Sequence, residues 1–490
     1  MNKRYWLTFV VAGLLAASRV WASEWSGDVS EDWFTAGNWT AGVPTASTAQ
    51  VRIDTSNPNA ALIASDAAAT GNLFEVGRSG TALLNIANGG SLTTGSATLG
   101  GQAAGNGTVI ISGAGSLWQA AGAFTIGSSG TGELQVLDGG AFQVSDINNL
   151  LIGQQASGSG SITVSGADST LVNSGTFWIG SSGAGELTIS DGGTVTFAAT
   201  TTVAQTSVSQ GNVLISGDGS MLFGTRLHVG NGGNGQLRLF DGGLLHLTGP
   251  IDSPAANYRL VIGANAGSNG EVVVGGPAGQ APALPGQLDL RGGILFNNGA
   301  GTLIFNHSGE IDLPFPINGP VGSNASGLIR ADHGRTLFSG QPLAYSGSLI
   351  IEQGATFGAG GQLGDVTNDG RLVASPDQSA TLTINGDYSH GEDAMLEIQF
   401  APGPVVDFID ISGEANFAGG GIAFTVLPGN YGSTPLDGLY PILTAAGGIS
   451  GQIPELVDAN PNAFELIQDG DTLLVNVTDS LFRDRFAVSP

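Results

Sequence analysis

The chain contains no cysteine, so no disulfide framework can staple it, and an oxidising compartment would add nothing to its stability. Positive charge is almost as scarce. Lysine and arginine number 14 against 40 aspartate and glutamate, and Lys3 is the only lysine. Nucleic-acid binding needs a basic patch to replace counterions on phosphate, which excludes nucleic acid as a partner. Long apolar runs are also missing. The best, Trp6 to Ala17, has 12 residues and is too short to cross a bilayer as a helix. It follows Lys3 and Arg4 and precedes Val20-Trp21-Ala22, the layout of a cleaved signal peptide over residues 1–22. Cleavage there leaves 11 basic residues, all arginine, against 40 acidic ones, a net charge of −29. Such a surface keeps a β-rich protein soluble by self-repulsion. No later stretch is apolar enough for a transmembrane helix, so the mature chain is expected to carry no transmembrane segment.

What the chain has in abundance is glycine, 81 of 490 residues, and it is periodic. Paired glycines fall at Gly89-Gly90, Gly139-Gly140, Gly192-Gly193, Gly242-Gly243 and Gly292-Gly293, with spacings of 50, 53, 50 and 50. A second mark, an apolar run ending in glycine, falls at Gly77, Gly100, Gly127, Gly153, Gly180, Gly230 and Gly263, with Ala204 standing where one more is due. Each 50-residue unit therefore holds two similar halves of about 25 residues. In the stretch Phe177 to Phe197, Leu187, Ile189, Val195 and Phe197 alternate with Thr188, Ser190, Thr194 and Thr196 around Asp191-Gly192-Gly193. Alternation at period two means strand, and Asp-Gly supplies a corner. Strand and corner repeating at 25 residues describe an all-β, right-handed parallel β-helix with about 25-residue rungs. A kelch-like propeller shares the 50-residue period. Its blades need four antiparallel strands, whereas the two halves of each unit here resemble each other.

The expected order along the chain is a signal peptide at 1–22 and an N-terminal cap at 23–50, then regular rungs at 51–250. A looser β-helix with Pro-rich loops follows at 251–378, a β-rich distal segment at 379–478 and a tail at 479–490. The cap reading rests on Trp25, Trp33, Phe34 and Trp39, because the first rung of a solenoid exposes a core and an edge that must be covered. A sugar-binding aromatic platform is the other use for such a cluster. Pro277, Pro282 and Pro285, and then Pro314, Pro316 and Pro320, mark loops leaving the rungs, and Leu349 to Phe357 is a later copy of the repeat.

Three runs in the distal segment carry a resemblance: Gln362 to Leu372, Leu382 to Tyr388 and Asp407 to Gly413. Together with Tyr440 to Gly451, they look like the distal part of autotransporter passenger domains. The upstream rungs resemble the repeats of the same secreted proteins. The resemblance implies a stable last portion of the β-helix, with Ile409, Ile411, Phe424, Val426, Leu443 and Leu473 buried. It also implies export to the periplasm, the cell surface or the surroundings of a Gram-negative cell. Only about 40 residues follow Gly451, too few for an outer-membrane barrel of at least eight strands, so separate export machinery is the expected partner. The tail, Asp479 onward, reads as a sorting signal or as a frayed terminus.

No catalytic, cofactor-binding or metal-binding residue set emerges. A polysaccharide lyase or hydrolase on this fold would need carboxylates clustered over neighbouring rungs. The stacked carboxylates are Asp138, Asp191 and Asp241, with Asn88 and Arg291 at the matching positions; corners favour Asp for its turn chemistry. His228, His246, His307, His333 and His390 lack ligand spacing, although His228 and His246 lie close enough in sequence to meet across a rung. Arg226, Arg238 and Arg259 are expected to pair with Asp218, Asp241 and Glu271. The function expected is a non-catalytic, adhesin-like or matrix-like scaffold offering Thr, Ser, Asn and Gln to extracellular glycans or to copies of itself. A polysaccharide-degrading enzyme is the alternative.

Overall fold

The computed structural model describes residues 22–64, 68–145, 149–249, 258–376, 381–401, 405–426, 438–457 and 464–478. All but the last residue of the expected signal peptide, and the whole of the 479–490 tail, lie outside the described residues. The rest is a β-solenoid of about 15 turns with essentially no helix. At about 4.8 Å per turn, the stack is roughly 70 Å long.

A regular turn has three strands, as in Phe124–Ile126, Thr131–Leu137 and Ala141–Val144. They build a first face of short strands, a second of seven-residue strands and a third of four-residue strands. Every strand pairs in parallel with its counterparts one turn before and after, in unbroken register. Along the second face Val109, Leu134, Ile162, Leu187, Val213 and Leu237 therefore form one column, and all are buried. Leu187, Ile189, Val195 and Phe197 point inward as the alternation requires, while Thr188, Ser190, Thr194 and Thr196 are half-exposed. The third face is a separate sheet of nine strands, from Ala68–Gly71 to Gln287–Leu290. Beyond it, Ala300–Asp312 and Ser326–Tyr345 run on as long strands where earlier turns have a corner. No Asp-Gly-Gly segment interrupts them, so the second and third faces merge.

The corners explain why the sequence repeats at 50 residues when the structure repeats at about 25. Asp191 and Gly192 have φ of +53° and +88°, and Gly193 N–H donates to Ser190 O at 2.9 Å, as in a type I′ turn. Asn88, Asp138 and Asp241 adopt the same left-handed conformation. Such turns usually close hairpins; here the flanking strands lie in different sheets and do not pair with each other. The sibling half has another corner, with Ser116, Ser169 and Ser220 buried. Their hydroxyls accept the amide N–H of Gly89, Gly139 and Gly192 in the turn before, at 3.2, 3.0 and 3.0 Å. Ser116 and Ser169 pass the bond on to the carbonyls of Ser112 and Ser165, both at 2.7 Å. A type I′ corner leaves one half-buried donor and a buried serine supplies the acceptor, so the two kinds alternate.

Register also exposes a column that periodicity of apolar residues does not show. Gly107, Gly132, Gly160, Gly185, Gly211, Gly235, Gly270 and Gly301 are successive partners, headed by Ala82. All eight are buried. Here the chain doubles back from the first face to the second, and a Cβ on Gly185 would lie 2.1 Å from the backbone nitrogen of Gly180.

Both ends of the stack are covered. At the start, Trp25, Trp33 and Trp39 are buried. The Trp33 ring meets Trp39 edge-on at 4.6 Å and stacks on Phe74 of a following turn at 6.1 Å. The backbone here pairs with the edge below it, through Trp33 N to Leu62 O at 3.0 Å and Leu62 N to Glu31 O at 2.8 Å. Fully buried Asn38 holds the loop shape by accepting from the amides of Val29 and Ser30, both at 2.9 Å. At the far end the antiparallel hairpin Phe464–Asp469 and Thr472–Val477 lies on Gly438–Ala445. Ile409, Ile411, Leu443 and Leu473 are fully buried there and Phe424 is partly so. The side chain of Val426 lies outside the described set.

Candidate functional site

The column of carboxylates dissolves into corner chemistry. Asp138, Asp191 and Asp241 all sit at left-handed corner positions, each separated from the next by an intervening serine corner. Asp191 accepts hydrogen bonds from Ser165 at 2.8 Å and Ser190 at 3.0 Å. Those two hydroxyls, Ser165 first, hold its carboxyl below the usual range. At two turns apart, about 10 Å, such carboxylates cannot share one substrate bond.

One possible contact and one expected set of pairings fail. His228 and His246 do not meet across a rung, because His228 is on the first face and His246 on the third. His246 instead contacts Asp289 at 2.6 Å and stacks on Phe223. Nor do Arg226 and Arg238 pair with Asp218 or Asp241. The Arg238 guanidinium lies 4.3 Å from the centre of the Phe240 ring, and its Nε donates to Gly275 O at 3.0 Å. Glu271 takes its hydrogen bond from Gln236. Strand alternation decides both outcomes: a side chain meets in-register neighbours one turn away, and sequence proximity across a corner counts for little.

The described clefts lie in the irregular half. One, of about 260 Å³, is lined by Gly279, Gln280, Arg330, Asp332, His333, Glu352 and Gln353. Residues 276–286 leave the rungs here, anchored by buried Asn306, whose amide donates to Pro277 O at 2.7 Å and Gln280 O at 3.0 Å. Arg330 pairs with both Asp332 and Glu352, and buried Asp332 also accepts from Gly279 N at 3.2 Å. This arrangement holds a loop down and presents one guanidinium that bridges two carboxylates, Asp332 on its own strand and Glu352 just past Ser348–Ile351. A second depression, of about 390 Å³, involves Phe338, Ser339, Gln341, Pro342, Ser375 and Thr381, with no ionisable group among its described lining residues. Among the described residues no cluster of three or more His, Cys, Asp or Glu is placed to hold a metal ion.

Sequence reasoning missed the buried polar groups of the irregular half, since isolated histidines carry no periodic signal. His390 is buried; its Nδ1 meets Tyr388 Oη at 2.7 Å and its Nε2 meets Ala394 O at 3.1 Å. A backbone carbonyl only accepts, so Nε2 carries the proton and Nδ1 accepts from the tyrosine. His307 is buried against Thr336, 3.0 Å from Nε2. Burial pushes both imidazoles down to about 4. The fold therefore binds the neutral rings, and their contribution is complete above about 6.5 and lost as pH falls towards 4. A shift of this size is worth roughly 3 kcal/mol for each ring. The urea midpoint at pH 5 should lie below that at pH 7.5, although protonating surface carboxylates relieves self-repulsion in the same interval. In the double variant His307→Gln and His390→Gln the gap between the two midpoints should shrink; an unchanged gap would assign the acid sensitivity elsewhere.

On the outer surface, register turns single side chains into columns. The second face shows Thr108, Glu133, Ser161, Glu186, Asn212, Gln236, Glu271 and Thr302. The third shows Gln119 donating to Gln143 at 3.1 Å, then Val172, Thr196, Phe223 and His246 in line. On the first face the column Thr98, Thr125, Leu151, Trp178, Thr202 and His228 is recessed: Thr125, Leu151 and Thr202 are buried, and Thr98, Trp178 and His228 are half-buried.

No family model matches the chain. Two proteins of Escherichia coli strain K12 are similar to part of it. The uncharacterized lipoprotein YdeK is 28% identical over 218 residues, which is 43% of this chain and 16% of that protein. The uncharacterized protein YuaQ is 26% identical over 228 residues, 44% of this chain and 15% of its own length. The similarity thus spans less than a fifth of either relative.

Proposed function

We propose that the chain is a non-catalytic exported scaffold, adhesin-like or matrix-like, whose outer faces bind glycans or other copies of itself. The observation that carries this reading is the in-register display of outward side chains over many turns, while the corner carboxylates are engaged in turn formation. A regular solenoid offers repeated, weak, identical contacts rather than one enclosed site. The leader expected at 1–22 and the passenger-like repeats support export, and the name of one relative, a lipoprotein, supports the cell envelope as the destination. Among the described residues no helix is long and apolar enough to cross a membrane.

A polysaccharide lyase or hydrolase is the second reading, favoured by the cleft where Arg330 bridges Asp332 and Glu352. The test is to incubate purified residues 23–490 with acidic and neutral polysaccharides, with and without calcium, and to follow both retention and chain length. Retention without cleavage is the expected result. Cleavage abolished by Asp332→Asn or Glu352→Gln would replace the scaffold reading with the enzymatic one.

A further inference from the structure

Of the five tryptophans beyond residue 22, four are buried: Trp25, Trp33 and Trp39 at the covered end, and Trp118 in the core, where its Nε1 donates to Thr94 Oγ1 at 3.0 Å. Trp178 is the exception. It occupies the outward position of Phe177–Ile179, half-buried, and no described residue gives it a ring contact or a hydrogen bond. An amphipathic ring of this size, left unused on a surface, is a platform.

The column continues from Trp178 to Thr202 and then His228, and a bank of amides runs beside it. Thr202 Oγ1 donates to Gln205 Oε1 at 2.8 Å, Asn231 Nδ2 donates to the same oxygen at 3.1 Å, and Asn231 Oδ1 faces His228 Nδ1 at 3.1 Å. Since that oxygen accepts, Nδ1 carries the imidazole proton. Burial, then the neighbouring charge of Arg226, pushes the His228 pKa down, so the ring is neutral near pH 7. Arg226 precedes it on the same side of Arg226–Val229. In a chain this acidic, its guanidinium has no ion pair among the described residues, and its Nε has no hydrogen-bond partner. The amides are spent on one another and on His228, and Arg226 Nε is itself buried, so what the fold leaves without an ion pair among the described residues is the half-buried Arg226 guanidinium, near the half-buried Trp178 indole.

We propose that Trp178, Thr202, His228 and Arg226, with Gln205 and Asn231 alongside, form a subsite for a carboxylated glycan, a chain containing uronic acid residues. The proposal rests on the glycan-binding reading above and deepens it. One sugar ring lies with its C–H face on the Trp178 indole. Trp178 and His228 are two turns apart, about 10 Å, the span of about two linked rings, so the next ring lies towards His228 and Arg226, with Thr202 buried beneath it. There its carboxylate meets the Arg226 fork, a planar match that arginine makes better than lysine. The long-range field of an acidic protein opposes such a ligand, but at physiological salt that field is screened beyond about 8 Å, and the local charge decides.

The experiment measures binding of the purified mature chain to short oligogalacturonates and to uncharged maltooligosaccharides of matching length, at two salt concentrations. Trp178→Ala should weaken oligogalacturonate binding about tenfold, from loss of the aromatic platform. Arg226→Gln should weaken it several-fold and remove its salt dependence. Both side chains are half-buried on the outward side of their strands and lie outside the core cluster, so both variants should stay within a few degrees of the parent melting temperature. Equal binding of oligogalacturonate by parent and variants would place glycan binding elsewhere and overturn the subsite while leaving the broader reading in force. Equal affinity for the uncharged oligosaccharides would overturn the carboxylate assignment. If the parent chain retains no saccharide, in this assay or in the polysaccharide screen, both the subsite and the glycan-binding half of the proposed function fall.

Discussion

Gly185→Val should destabilise the solenoid by about 3 kcal/mol or more, at the upper end of what overpacking costs. The backbone at Gly185 is not left-handed, so the reason is space rather than conformation. Its Cβ would sit 2.1 Å from Gly180 N and 2.8 Å from Gly180 Cα, atoms that belong to the turn between the first and second faces and cannot rotate away. Moving that turn also disturbs the stack above and below, since Gly180 N–H donates to Ile152 O at 3.1 Å and Gly180 O accepts from Gln205 N at 2.9 Å. The column tolerates Ala82 at its head, where the regular part begins; Gly185 has glycine partners on both sides. Urea denaturation followed by circular dichroism gives the number. The control is Thr188→Val, an outward neighbour on the same strand, expected to fall within about half a kcal/mol of the parent. A loss at Gly185 no larger than the control's would mean that the doubling-back corner is not under steric constraint.

Trp33→Ala should cost about 3 to 5 kcal/mol, the usual range for a fully buried large aromatic, and the damage should be local. Trp33 is wholly buried, and its ring contacts Trp39 on one side and Phe74 on the other. Its carbonyl also accepts from Trp39 Nε1 at 2.7 Å. Stability in a solenoid is a sum over turns and their interfaces, so loss of the cover should loosen the first turns and leave the middle intact. Hydrogen exchange should accelerate over residues 23–64 and remain at the parent rate over Leu237 to Phe240. The indole nitrogen of Trp33 has no hydrogen-bond partner, so Trp33→Phe should retain most of the stability. Uniform acceleration along the whole rod would show that the covering segment and the stack unfold as one cooperative body.

The strands of the regular half were legible because one residue in two is apolar and the rungs repeat without insertion. Leu187, Ile189, Val195 and Phe197 needed only the period-two rule. The corners were legible because left-handed backbone has few tenants: Asp191, Gly192 and even Ala204, at φ +59°, could be placed by type. Three things were out of reach. The glycine column from Gly107 to Gly301 is hidden because each member is one residue in a glycine-rich chain until register aligns them. The arginine partners were misjudged because Arg238 and Asp241 are close in sequence, but Asp241 acts on the guanidinium only at a distance, while the Phe240 ring and Gly275 O take its contacts. The outward Trp178 could not be told from core tryptophan Trp118, since both sit in short apolar stretches and only the parity of the strand separates them. Buried His390 and Tyr388 gave no signal because a polar core pair has no periodic signature.

The two alternating corners impose an arithmetic on how this protein can change length. Removing a single turn from the regular half would bring two Asp-Gly corners face to face, leaving a half-buried amide donor without a serine, or two serine corners, leaving buried hydroxyls without their donor. Either mismatch places an unsatisfied polar group inside the stack at a cost of about 1 to 3 kcal/mol. Removing two consecutive turns restores the match. Gene rearrangements that survive should therefore lengthen or shorten the rod in steps of two turns, about 50 residues, so that the outer columns grow in pairs. Only near Gly242, whose amide bonds to Pro285 O at 3.0 Å in place of a serine, is the pairing already broken. That is where an insertion of odd length can enter at no further cost.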